Sequence, residues 1–188
     1  MARVHSFTVA TITGHAAPSD PPADWADLLG WWDGQRLASR EVLIRPATTP
    51  VKSPFPRGEF TVGGWIRRLA HEFAIHRLDA ESALPRDPST WFSREFATDG
   101  VDEYLTFLTP SRAAVSPFDG VVRVATTDSE RTWFVHLVTG QTPGTAAEAE
   151  PDVTLEGAAD DVYRALWGRP HGAAVTGSSG LLAALAAP

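Results

Sequence analysis

The apolar pattern changes character between Pro110 and Pro117, and that change restricts the chain to an α+β architecture in two parts. Before it, apolar residues recur at helical spacing. Trp25, Leu28, Leu29, Trp32, Leu37 and Val42 form one stripe, opened by Asp24 as a cap and closed by Pro46. Thr61 is placed to cap a long helix that runs to about Ala83, ahead of Pro85. Val101, Tyr104, Leu105 and Leu108 share one side of a short helix from Gly100 to Leu108. Ala2 to Ile12 is apolar with few breaks and reads as helix or strand by pattern alone. Thr48 to Gly58 carries Pro50, Pro54 and Pro56 and reads as an extended loop.

After Phe118 the signals are those of strands. Val121 to Val124 and Thr132 to Val138 are rich in β-branched and aromatic residues, and Asp152 to Gly157 alternates with period two. Ala158 to Trp167 reads as a helix stopped by Gly168 and Pro170. Ala173 to Thr176 reads as a short strand, and Gly180 to Ala187 as a last helix. The expected division is a helical domain over residues 1–112 and a small α+β domain over residues 113–188.

Composition narrows the function classes. The 188 residues carry a net charge of −7, so no excess of Lys and Arg exists to neutralise phosphates, and nucleic acid is not the expected partner. There is no cysteine, which removes disulfides, thiolate ligands and a cysteine nucleophile. Any thiol chemistry would need an external thiol. No apolar run is long enough to span a membrane, and the start of the chain lacks the apolar core of a signal peptide. The expectation is a cytoplasmic protein.

The chemistry-bearing helix is the one after Thr61. On a wheel of 100° per residue, Val62, Trp65, Ile66, Leu69, Phe73 and Ala80 share one face. His76 falls within that face and Glu72 at its edge, whereas Arg67, His71 and Leu78 point away. A carboxylate and an imidazole at i and i+4 are neighbours, and both suit a divalent metal, zinc above all. The competing reading gives Glu72 an arginine partner and makes His76 a satisfied core histidine. His71 followed by Glu72 suggests a zinc-protease helix, but that motif needs a second histidine at i+4. Here His76 lies at i+5, so His71 and His76 do not share a face. Arg77 and Asp79 are candidates to orient the ligands from behind, or to form ordinary helix ion pairs.

The stretch Ile66-Arg67-Arg68-Leu69-Ala70-His71-Glu72-Phe73-Ala74-Ile75-His76-Arg77-Leu78-Asp79-Ala80-Glu81 resembles the signature helix of the mycothiol-dependent maleylpyruvate isomerase family. Members are actinobacterial proteins related to DinB-like helical bundles. The stretch from Asp152 to Arg169 is similar to the family's C-terminal domain, itself like sterol-carrier domains, and Ala97 to Glu103 resembles the connecting region. The resemblance implies a divalent metal held by Glu72, His76 and one earlier histidine. It places that earlier histidine just upstream of Met1, so it implies a bundle shortened at its N-terminus and lacking its first helix. His5 is then the candidate replacement ligand, against a plain reading as a packed helix histidine. His15, His136 and His171 read as surface or strand residues.

The family likeness further implies mycothiol as thiol cosubstrate and a small-molecule electrophile as substrate. A metal with open positions would lower the thiol pKa and supply thiolate near neutrality. The function implied is a metal-dependent isomerase or thiol transferase. The alternative is a non-enzymatic binding or regulatory module, with a degenerate metal site and an apolar ligand in the C-terminal domain. A shortened bundle would also expose apolar surface, which predicts homo-oligomerisation.

Overall fold

A computed structural model describes residues 2–14, 20–51, 60–85 and 91–186. The chain is α+β and divides into two compact units, residues 1–74 and 75–188. The expected boundary at 112/113 lies inside the second unit, because the helices before it share a core with the sheet after it. His15 lies outside the described residues.

The first unit is built on helices. Ala2–Thr13 forms α1, settling the ambiguous N-terminal run as helix. Trp25–Leu43 forms α2, and the Asp24 side chain accepts hydrogen bonds from the N–H groups of Ala26 and Asp27 at its start. Two short strands, β1 (Pro50–Val51) and β2 (Phe60–Thr61), pair antiparallel. They lead into α3 (Val62–Ser82), whose first turn is capped by Thr61 Oγ1 accepting from the Gly64 N–H at 3.2 Å. Trp65 anchors this unit. Its indole N–H donates to Thr8 Oγ1 at 2.9 Å, and its ring meets Phe60 edge-on at 5.8 Å. That hydrogen bond removes the cost of burying the indole nitrogen.

The second unit begins within α3. Helix α4 (Arg94–Glu103), capped by Ser93, runs through one π turn, Tyr104–Leu108, into α5 (Thr109–Arg112). A five-stranded sheet follows, with β3 (Gly120–Thr126), β4 (Arg131–Leu137), β5 (Gly144–Thr145), β6 (Val153–Gly157) and β7 (Ala174–Gly177). Its spatial order is β5-β4-β3-β6-β7. Strand β3 is central, antiparallel to β4 and parallel to β6, so Val122 faces both Val135 and Val153. Helix α6 (Ala159–Leu166) packs on α4, and a 3₁₀ helix (Ser179–Leu185) closes the chain.

The core of this unit follows from the alternation. Val122, Val124, Val135 and Leu137 point to one face of the sheet, where they meet Val101, Leu105, Leu108, Val162 and Tyr163. Each fully buried aliphatic side chain stabilises the unit by roughly 2 kcal/mol. Phe92 and Phe96 both meet the Tyr163 ring edge-on. On the opposite sheet face Arg123 donates to Glu156 at 2.8 Å.

Candidate functional site

Helix α3 does not bury one constant face, as a single wheel requires. Val62, Trp65, Arg68, Leu69, His71, Ile75 and Leu78 are buried, whereas Ile66 is exposed. The expectation that His71 and Leu78 point away and that Ile66 faces inward is therefore corrected. The physical reason is that the buried face rotates along the helix: Val62 and Leu69 define it early, Ile75 and Leu78 late. A wheel assumes one packing partner for the whole length, and α3 contributes to two units.

Glu72 and His76 stand on successive turns of α3, and each has a partner of its own. In the first unit, the buried Arg68 guanidinium donates to Glu72 Oε2 at 3.0 Å. In the second, His76 Nδ1 lies 3.0 Å from Asp79 Oδ2. Asp79 also receives two donors from Arg169, Nε at 2.8 Å and Nη2 at 2.7 Å, in a bidentate fork. The Arg169 hydrogen bonds, more than that of His76, hold the Asp79 carboxyl below its ordinary pKa. An ionised carboxylate only accepts, so His76 Nδ1 is the donor to Asp79. In a neutral imidazole so held, Nε2 is the nitrogen that serves as a metal ligand or a base. Arg77 instead pairs with Glu81 at 2.9 Å along the exposed side of the helix.

His5 packs its ring against Phe73 at 4.9 Å. Its Nδ1 is buried without a hydrogen-bond partner, and burial chiefly holds its pKa below the ordinary value. An imidazole kept neutral is the ligand form. Among the described residues, however, no three His, Asp or Glu side chains gather into a group able to hold a metal ion. Glu72 and His76 are each a residue type able to ligate zinc, but Arg68 sets a positive charge on the Glu72 carboxylate and Asp79 engages His76. His136 Nε2 is 3.2 Å from the Ala147 carbonyl oxygen, and His171 is exposed.

Arg169 had no local signal. It is separated from Asp79 by 90 residues, and its stretch reads as a helix stop: Gly168 takes φ +66° beside it.

Residues 95–187 match the MDMPI C-terminal domain. The match runs from α4 into the 3₁₀ helix and covers just under half of the chain. The MDMPI C-terminal domain supplies Arg169 to the cluster, while Asp79 and His76 come from α3, ahead of the match. No curated protein and no solved structure gives a significant match to the chain. No described helix is long and apolar enough to cross a membrane.

A polar depression of about 610 Å³ lies elsewhere on the MDMPI C-terminal domain, lined by Arg94, Thr98, Asp128, Ser129 and Arg131 among others. Within it Arg94 pairs with Glu95 at 2.8 Å, and the α3 residues are not among its lining.

Proposed function

We propose that this chain is a maleylpyruvate isomerase-like enzyme, an isomerase or thiol transferase that joins an external thiol such as mycothiol to a small electrophile. The observation that carries the reading is the His76–Asp79–Arg169 cluster. It unites the α3 helix with the MDMPI C-terminal domain around one carboxylate that orients the His76 ring. In this reading Glu72 and His76 hold a divalent metal, zinc by donor chemistry, and His5 is the candidate for a further ligand. When bound, the metal would lower the pKa of a thiol and favour thiolate at neutral pH. The chain's own residues do the rest. Asp79 fixes the imidazole of His76, and Arg169 keeps Asp79 ionised. The absence of cysteine fits a thiol brought from outside.

The test is metal content and thiol transfer together. The purified chain should hold near-stoichiometric zinc and, with a maleyl-type electrophile, either consume mycothiol by S-transfer or catalyse a mycothiol-dependent cis–trans isomerisation that returns the thiol. Glu72→Ala and His76→Ala should each lose the metal and at least as much activity as the roughly 10- to 100-fold that removal of a group behind a ligand costs. Zinc-free wild type with neither thiol consumption nor thiol-dependent isomerisation would overturn the reading.

The Arg68–Glu72 pair favours a second reading, a binding or regulatory module whose metal site is degenerate. Under it, Glu72→Ala changes neither metal content nor turnover but destabilises the helix by exposing Arg68 to burial without its partner.

A further inference from the structure

Helix α2 leaves a line of large apolar side chains uncovered. Trp25 is 69% exposed, Leu29 40% and Trp32 39%. With Arg36 they lie at intervals of four, three and four residues, the spacing of a coiled-coil seam. The side of α2 that the chain does cover carries Leu28, Trp31, Gln35, Ala38, Ser39 and Val42, all buried or half-buried. The uncovered line is therefore a second face. Gly30 and Gly34 also lie exposed, with open space where a Cβ would stand. Each weakens the helix relative to Ala.

Charge along α2 is polarised. The first half carries Asp24, Asp27 and Asp33 and no basic residue. The second half carries Arg36, Arg40 and Arg45, with Glu41 the one acid. Arg45 is engaged with the Ile12 carbonyl oxygen at 3.3 Å. Arg36 lies 3.3 Å from Asp33 within the helix, an exposed pair of little energetic weight.

We infer that the exposed face of α2 docks antiparallel on α2 of a second copy of this chain, along Trp25, Leu29 and Trp32. Antiparallel pairing sets the acidic half of each helix against the basic half of the other and aligns the two macrodipoles favourably. A parallel pair would set like charges together. Packing the seam places Arg36 and Arg40 of each copy over the tryptophans of the other, where a guanidinium stacks on an indole face. No other partner is needed to explain the pattern, since one helix supplies both complementary halves. A 19-residue helix is about 28 Å long. A single helix pair of that length buries less than the ~800 Å² per partner of a standard interface, so the dimer is reversible and in the micromolar range.

Sedimentation velocity of the full chain tests this over about 1 to 200 μM, the range in which a micromolar dimer forms and dissociates. The expected result is a concentration-dependent shift from monomer to dimer and no further. Trp25→Glu should weaken it at least tenfold, with unchanged circular dichroism because that side chain is 69% exposed. The double variants Arg36→Asp/Arg40→Asp and Asp27→Arg/Asp33→Arg should each weaken self-association, and mixing the two should restore a dimer. Three results would overturn the proposal: a monomer at every concentration, association indifferent to charge reversal, or a mixture that stays monomeric. Indifference would mark unspecific apolar adhesion instead.

Discussion

Asp79 accepts from Arg169 and from His76, and its lowered pKa makes the cluster a contributor to stability with a defined pH sign. The carboxylate titrates lower in the folded chain than the ~3.9 of an unfolded one. Its contribution is therefore fully present above about pH 4 and is lost as pH falls through the folded value. Asp79→Asn should cost about 1 kcal/mol at pH 7, a modest figure because both partners are partly solvated. The gap from wild type should narrow as pH drops below 4. Urea titrations across that range check it. A second residue-scale prediction concerns Gly177, which holds φ +95° with an added Cβ only 2.3 Å from the Asp152 carbonyl oxygen. Gly177→Ala combines backbone strain with a clash that neither backbone can relieve, so it should destabilise by about 2 kcal/mol or more. Thermal unfolding reads this directly. Asp79 was recognisable as a polar residue behind His76. Arg169 was not, because a contact across 90 residues leaves no local spacing to read.

At the scale of elements, α6 begins at Ala159 with no side-chain cap from its own preceding residue. Asp128, on the β3–β4 turn, reaches over to accept the Ala159 N–H at 2.9 Å. Asp128→Ala should cost about 1 kcal/mol, the usual worth of an N-cap, and chemical denaturation measures it. Asp160 and Asp161 in the first turn of α6 continue to favour the helix dipole in that variant, so α6 should still form. Elements of this kind were the legible part. Asp24, Thr61 and the Gly168/Pro170 stop marked helix ends by their own chemistry. Val121 to Val124 and Asp152 to Gly157 marked strands by period. The π turn at Tyr104–Leu108 was not legible, since its extra residue is set by packing and not by composition: Tyr104 meets Trp167 at 5.4 Å. The rotation of buried positions along α3 escaped for the same reason.

For the whole molecule, the α+β class followed from the change of period near Pro110, yet the compact units part at residues 74/75, within a continuous helix. Hydrophobic spacing reports that a helix is amphipathic and not which core each of its turns enters. The matched C-terminal domain includes α4, which Phe96, Ala97 and Val101 fasten to the core shared with the sheet.

The central place of β3 also constrains how this chain emerges during synthesis. Antiparallel β4 follows β3 through a tight turn, so that pair is able to close as soon as both strands have left the ribosome. The other edge of β3 pairs in parallel with β6, from Val122 facing Val153 to Thr126 facing Gly157, and must wait for that later segment. In the interval the hairpin presents an unpaired edge next to Val122 and Val124, two residues destined for the core. Pausing of translation between β4 and β6 would prolong that exposure, and slow stretches of message there would be expected to raise the yield of aggregated nascent chain.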